Sequence, residues 1–271
     1  MERFTRRHVL LGVSCALAAL AGVRDVLAQA PPATAGPVDP KLVEDLVAAN
    51  RILADQGVVD GYGHVSVRHE KSPDRYLMSR SIAPELVTAA DIMEYDLDST
   101  AVDARGRTSY LERFIHGEIY RVRPDVHAIV HNHSPSVIPF SATAAPLRPL
   151  YHMSAFLSGG VPVFDIRQAG GMTDMLVRTA ALGQALARTL GARPVALMRG
   201  HGAVVVGASL PLVVFRSVYT EVNARLQSQA MAIGGGQVTY LDPEEARLAE
   251  AAVSGTVTRP WELWKKKALA R

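Results

Sequence analysis

The amino-acid sequence predicts an α/β domain in which helices cover the faces of a mixed or antiparallel central sheet. Segments with helical spacing of apolar residues are interspersed with short runs of β-branched residues, without the regular strand–helix–strand order of a parallel sheet. Of the 271 residues, 48% are hydrophobic and 20% are charged, which is ordinary for a chain that buries a core. No internal repeat is visible.

The predicted elements follow from apolar periodicity and from the Gly and Pro residues that interrupt it. Helices are predicted over residues 41–56, 111–121, 135–144, 173–190 and 212–232, the last being the final long helix. Strands are predicted over residues 64–68, 75–79, 92–97, 126–131, 161–164, 195–198 and 203–206. The sequence Thr88-Ala89-Ala90-Asp91 is expected to cap a short helical turn.

The first 28 residues have the features of a signal peptide. Arg6 and Arg7 precede an apolar run to about Ala21, and small residues follow at the spacing that a signal peptidase recognises. The arginine pair favours the twin-arginine route, with a Sec signal or a retained anchor as alternatives. We therefore expect export to a bacterial periplasm. Residues 29–40 are rich in Pro, Ala and Gly and are expected to link the signal to one domain over residues 41–271.

Charge and cysteine usage exclude several classes of function. The formal net charge is only +3, and no basic run with interleaved aromatic residues occurs. Neither a nucleic-acid partner nor a membrane partner beyond the signal segment is therefore expected. The single cysteine, Cys15, lies in the predicted signal peptide, so a mature chain has no disulfide or thiol chemistry. A transition-metal site must be built from histidine and carboxylate.

Three histidines are candidate metal ligands. His131 and His133 are two residues apart at the end of a predicted strand, so both imidazoles can reach one ion at about 2.0–2.1 Å. His201 lies between two glycines at another strand end, where the backbone can approach closely. A single histidine is more often a surface or core residue, but three with an open fourth position are typical of a catalytic site. The sequence thus predicts one divalent ion per subunit, and Mn, Zn, Fe and Co are all compatible.

The segment 112–133, ERFIHGEIYRVRPDVHAIVHNH, resembles the class II aldolase/adducin family, as do residues 61–68 and the Gly200-His201-Gly202 turn. The resemblance implies a three-layer α/β/α domain with a mostly antiparallel sheet, assembled as a homotetramer with active sites at subunit interfaces. It also implies that the three histidines bind the metal. Glu112, which spacing alone would leave as a solvated surface residue, matches the catalytic acid/base and can also contact the metal.

Departures from the sugar-phosphate aldolases alter the expected substrate. Tyr110 and Leu111 stand where those enzymes have two serines of a phosphate site. The segment 78–81, MSRS, replaces their Thr-Gly phosphate loop, and His64 replaces an asparagine. These stretches are similar to the decarboxylase branch that includes 3-hydroxy-2-methylpyridine-4,5-dicarboxylate decarboxylase.

We therefore expect a divalent-metal-dependent carbon–carbon lyase that decarboxylates a hydroxylated, aromatic carboxylic acid. The metal would stabilise an enolate-like intermediate, and Glu112 would move the proton. Arg80, His64 and Ser81 are the candidate substrate-binding residues, because a guanidinium suits a carboxylate. Three alternatives stay open: an aldolase acting on an unphosphorylated hydroxy-carbonyl compound, a non-haem iron oxygenase, and a non-catalytic adducin-like module, although the intact histidine set argues against the module.

Overall fold

A computed structural model describes residues 32–270, so the predicted signal peptide lies outside the described residues. Its strands are β1 (His64–His69), β2 (Ser72–Ser79), β3 (Ile92–Asp96), β4 (Ala128–Asn132), β5 (Val163–Phe164), β6 (Val195–Met198) and β7 (Gly202–Gly207). In the part of the chain described, these seven strands form one sheet in the order β3-β2-β1-β4-β7-β6-β5. The β5–β6 pair is parallel and the other pairs are antiparallel, so the predicted mostly antiparallel sheet is confirmed.

Helices cover both faces of this sheet. They are α1 (Pro40–Asp55), α2 (Phe114–Val122), α3 (Ile138–Ala142), α4 (Ile166–Gly170), α5 (Ala180–Leu190), α6 (Leu210–Ile233), α7 (Pro243–Ser254) and α8 (Thr258–Leu269). Short 3₁₀ turns cover Pro84–Leu86, Ala89–Asp91, Leu111–Arg113 and His152–Leu157. The expected capping box of Thr88 and Asp91 is present. None of the helices in the described chain is long and apolar enough to cross a membrane.

Side chains of successive strand residues enter two separate cores, as the twofold period of a strand requires. Val130 and Val205 belong to the core that also contains residues of α1, α6 and α8. Ile129 and Val204, their neighbours along the chain, belong to the core shared with α2 and α5. Helices therefore pack on both sides of the sheet, and the three-layer α/β/α arrangement is confirmed.

The predicted long helix over residues 173–190 is wrong for its first seven residues. Helix α5 begins at Ala180, where the Thr179 side chain accepts a hydrogen bond from the amide of Leu182. Upstream, the Thr173 hydroxyl accepts from the amide of Met175, and the Asp174 carboxylate accepts from the amide of Leu176. Such local bonds compete with helix formation, so this stretch is an irregular segment despite its helical apolar spacing.

Other elements also differ from the prediction: α3, for example, covers Ile138–Ala142 instead of residues 135–144, and β5 covers Val163–Phe164 instead of residues 161–164. Helix α2 begins at Phe114, because Glu112 has φ −91° and ψ 18° and lies in a preceding 3₁₀ turn. Helices α7 and α8 follow the helix over residues 212–232 that is predicted to be the final long helix. Asp242 and Glu245 form a capping box at the start of α7, which is the sequence signal that could have revealed it.

The stretch expected to be a linker contacts the sheet. Its described residues, 32–39, have no regular secondary structure. The Thr34 hydroxyl donates to Glu94 Oε2 over 2.6 Å, and the amide of Ala35 donates to Glu94 Oε1 over 2.8 Å. The guanidinium of Arg75 donates to the carbonyl of Ala33. This stretch is therefore hydrogen-bonded to the β2–β3 edge.

A glycine-to-alanine change at the α2–α5 contact tests this packing. A Cβ atom at Gly183 would lie 2.5 Å from the backbone oxygen of Phe114, so Gly183→Ala must push the helices apart. We expect the free energy of unfolding to fall by about 1–3 kcal/mol, as for other overpacked sites, although alanine favours an isolated helix. Urea unfolding measures the change. Gln184→Ala, an exposed position in the same helix, is the control and should stay within about 0.5 kcal/mol of wild type; equal stability of all three proteins would contradict the close contact.

Candidate metal centre

The pairing of β4 with β7 brings the three candidate histidines together. His131 lies on β4 opposite Val204, and Asn132 lies opposite Ala203, so the end of β4 meets the start of β7. His133 directly follows β4, and His201 directly precedes β7. A Cβ atom at Gly202 would lie 2.0 Å from the backbone oxygen of Asn132, so only glycine permits this approach.

The four candidate donor groups form one compact cluster. Ligand atoms of Glu112, His131, His133 and His201 all lie within 4.8 Å of one another. The Nε2 atoms of His133 and His201 are 3.0 Å apart. His131 Nε2 and His201 Nε2 lie 3.4 and 3.5 Å from Glu112 Oε2. These separations suit atoms that share an ion at about 2.0–2.2 Å.

Backbone carbonyls set the tautomers of two of the imidazoles. His131 Nδ1 donates to the carbonyl of Ala203 over 3.2 Å, and His201 Nδ1 donates to the carbonyl of Met175 over 3.1 Å. In each neutral ring the lone pair is then on Nε2, which faces the cluster. His131 Nε2 is buried and makes no hydrogen bond within the described chain. A buried lone pair without a donor, beside two more imidazoles and a carboxylate, fits a divalent transition metal.

Glu112 enters the cluster as a carboxylate. Burial opposes its ionisation, but His131 and His201, when they carry a proton on Nε2, outweigh burial and lower the pKa of Glu112 far below its usual range. Its Oε1 accepts from the amide of Val177 over 2.9 Å. Oε2 remains directed at the histidines.

A buried chain of hydrogen bonds begins at His64, beside this cluster, and runs into the core. His64 Nδ1 lies 2.7 Å from His116 Nε2, and His116 Nδ1 lies 2.6 Å from the Ser66 hydroxyl. Ser66 is in turn 2.8 Å from the hydroxyl of Tyr120. The antiparallel register places His64 directly opposite His131. Because His116 occupies Nδ1, only Nε2 of His64 is left to contact a ligand.

A cavity of about 280 Å³ opens beside the cluster. Glu112, His131, His133, His64 and Ser81 line it, so two of the three predicted substrate-binding residues are at the wall. The rest of the wall is mainly aromatic and aliphatic and includes Tyr62, Ile82, Tyr110, Leu111 and Leu176.

Arg80, the third predicted substrate-binding residue, lies away from the cavity wall that contains His64 and Ser81. Its Nε donates to Asp91 Oδ1 over 2.6 Å, and it is not among the described residues that line the cavity. Asp91 in turn caps the turn at Thr88. The structure thus gives Arg80 a structural partner, and contact with a substrate stays a prediction.

The sequence did not indicate three residues that contribute to the site. His116 is part of the segment that carries the family resemblance, but nothing in its spacing shows that it faces His64. Met175 and Val177 act through main-chain atoms, and their stretch has the apolar spacing of a helix. The only sequence signals there were Gly170-Gly171 and the turn-forming pair Thr173-Asp174.

Comparison with known proteins identifies the family. The family model described as the Class II Aldolase and Adducin N-terminal domain matches residues 44–228. The chain belongs to this class II aldolase/adducin family.

Individual relatives indicate which branch of the family the chain resembles. The chain is 36% identical over 247 residues to the decarboxylase tropJ of Talaromyces stipitatus, which covers 83% of this chain and 93% of the relative. It is 30% identical over 235 residues to 3,4-dihydroxyphthalate decarboxylase of Arthrobacter keyseri, covering 80% and 90%. The fold is similar to that of L-fuculose 1-phosphate aldolase from Glaciozyma antarctica, with a TM-score of 0.71, 23% identity and coverage of 86% and 93%. The expected resemblance to the decarboxylase branch is confirmed.

The buried histidine chain predicts a pH dependence of stability. Burial lowers the pKa of His116 to about 3, whereas an unfolded histidine titrates near 6.5. Between these values the unfolded chain binds a proton that the folded chain does not, so stability falls as the pH falls. From pH 6.5 to 4.5 we expect wild type to lose about 2–3 kcal/mol more than His116→Gln. Urea unfolding at both pH values measures this difference, and identical losses would contradict a neutral, buried His116.

Proposed function

We propose that this protein is a divalent-metal-dependent decarboxylase of hydroxylated aromatic carboxylic acids. The observation that carries the proposal is the convergence of three imidazoles and the Glu112 carboxylate in one cluster. This cluster lies beside a largely apolar cavity, whose wall includes Glu112, His131 and His133. Relatives named as decarboxylases support the carboxyl group as the part that leaves.

His131, His133 and His201 would hold the ion, with Glu112 beside them. A bound divalent ion supplies a Lewis acid for negative charge that develops on a substrate oxygen next to the breaking bond. The chemistry of the donor set admits Mn, Zn, Fe or Co.

Glu112 moves the proton that replaces the carboxyl group. Because it is ionised, its Oε2 can take a proton from the substrate hydroxyl, while the Val177 amide holds Oε1 in place. Glu112 then returns the proton to the ring carbon that bears the carboxylate. As carbon dioxide leaves, the electrons of the breaking carbon–carbon bond restore the aromatic ring and the negative charge returns to the neighbouring oxygen, so proton and charge balance over the reaction.

The cavity wall suits a planar ring. Tyr62, Tyr110 and Leu176 present aromatic and aliphatic surface to the space beside Glu112. Nε2 of His64 and the hydroxyl of Ser81 can hydrogen-bond to oxygens at the edge of such a ring. The cavity does not suit a phosphorylated sugar. Tyr110 and Leu111 occupy the part of the wall where the sugar-phosphate aldolases have two serines, so this part of the wall is apolar instead of polar.

Paired substitutions separate metal binding from proton transfer. His133→Ala removes one imidazole and should abolish both metal binding and carbon dioxide release. Glu112→Gln keeps the three imidazoles and an oxygen for the Val177 amide, so the metal should remain. Its turnover should fall by about 10²–10⁴-fold, the usual contribution of a general acid/base. Metal analysis and carbon dioxide release measure the two effects, and full turnover by Glu112→Gln would refute the proton-transfer role.

A substrate screen tests the reaction type. The purified protein, loaded in turn with Mn²⁺, Zn²⁺, Fe²⁺ and Co²⁺, is incubated with aromatic acids that carry a hydroxyl beside the carboxyl group. We expect metal-dependent release of carbon dioxide with at least one metal and substrate. The same rings without the hydroxyl are the control and should not react. Aldehyde release from hydroxy-carbonyl compounds, or oxygen consumption, would show a different reaction.

We further propose that the protein acts as an exported homotetramer. The paired Arg6 and Arg7 and the apolar run that follows them support export by the twin-arginine route. Membership of the class II aldolase/adducin family supports the homotetramer. Cell fractionation tests the first point, since the protein should be found processed in the periplasm. Light scattering of the purified protein tests the second, and a monomeric mass would contradict it.

A further inference from the structure

The irregular segment 173–178 replaces the start of the helix predicted over residues 173–190, and it lies against the metal centre. We propose that this segment, here named the backbone clamp, is a positioning element that sets the metal affinity through two main-chain groups. These groups are the carbonyl of Met175 and the amide of Val177. The inference rests on the metal centre proposed above, and it concerns residues that do not themselves bind the ion.

The first contact orients His201. Its Nδ1 donates to the Met175 carbonyl over 3.1 Å, and a carbonyl can only accept. The proton of the neutral ring is therefore held on Nδ1, and the lone pair on Nε2 faces His133 Nε2, 3.0 Å away. If this carbonyl moved, the ring could rotate or present an N–H to the ion. Partners of this kind tune the metal affinity of a histidine ligand.

The second contact orients Glu112. The amide of Val177 donates to Glu112 Oε1 over 2.9 Å, and both residues are buried. This bond turns the other oxygen, Oε2, towards His131 and His201. Two of the four groups of the cluster are thus oriented from positions only two residues apart in the chain.

Local side chains hold the backbone clamp in its conformation. Met175 has φ +69°, in the left-handed region that residues other than glycine and asparagine rarely adopt. The Thr173 hydroxyl accepts from the Met175 amide over 3.0 Å, and Asp174 Oδ1 accepts from the Leu176 amide over 3.2 Å. Asp174 also forms an ion pair with Arg178. An unfavourable backbone conformation that is retained by several contacts is characteristic of functional sites.

A pair of substitutions at Met175 separates backbone from side chain. Valine is β-branched and disfavours φ +69°, so Met175→Val should displace the carbonyl that binds His201. Asparagine tolerates this conformation, so Met175→Asn should leave the carbonyl in place. Both changes remove the methionine side chain.

The measurement is the affinity of the purified protein for Co²⁺, followed by its visible absorption in competition with a chelator. We expect Met175→Val to bind Co²⁺ about 10–100-fold more weakly than wild type, with an altered spectrum. Met175→Asn should match wild type to within about threefold, with the same spectrum. Wild-type affinity in Met175→Val would overturn the proposal, as would an equal loss in both variants.

Two further measurements keep the result interpretable. Circular dichroism and the Tm without metal show whether each variant folds.

If Met175→Val does not fold, a second pair of variants tests the proposal. Thr173→Val removes the hydroxyl that accepts from the Met175 amide, and Thr173→Ser retains it. Weaker Co²⁺ binding by Thr173→Val alone supports the proposal, and equal affinity of the two variants overturns it. Failure of wild type to bind Co²⁺ would instead contradict the metal centre itself.

Discussion

The antiparallel register between β4 and β7 is the constraint on which the site depends. It places His131 opposite Val204 and thereby sets His133 and His201 side by side at the same edge of the sheet. A shift of one residue would turn His131 to the opposite face, because strand side chains alternate. The close approach of Gly202 to the backbone of Asn132 allows the two strand ends to meet without a side chain between them.

Around these strand ends, main-chain atoms and buried polar side chains orient the reactive groups. The carbonyls of Ala203 and Met175 direct the lone pairs of His131 and His201 into the cluster. His116 holds His64 from the core side. The sheet therefore positions the histidines and orients His131, and the irregular segment before α5 orients His201 and Glu112.

The sequence predicted the parts of this arrangement that depend on regular periodicity and on residue type. Period-two and period-3.6 patterns located the main strands and helices, and His-x-His with a distant Gly-His-Gly indicated one metal site. The contributions of Met175 and Val177 could not be predicted, because they come from peptide groups that every residue possesses. The helical apolar spacing of residues 173–190 was also overridden by Thr173 and Asp174, whose side chains bond to the local backbone. The partner of Arg80 was equally hidden, since pairing with Asp91 depends on how β2 and the Thr88 turn pack together.

The central claim is that three imidazoles, with the Glu112 carboxylate beside them, hold a single divalent ion at this edge of the sheet. The most direct measurement is anomalous diffraction from crystals of the protein grown with Mn²⁺ or Co²⁺, recorded on both sides of the metal absorption edge. One strong anomalous peak per subunit is predicted, about 2.0–2.2 Å from Nε2 of His131, His133 and His201. A metal-saturated crystal without a peak there, or with its principal peak at another group of residues, would contradict the claim.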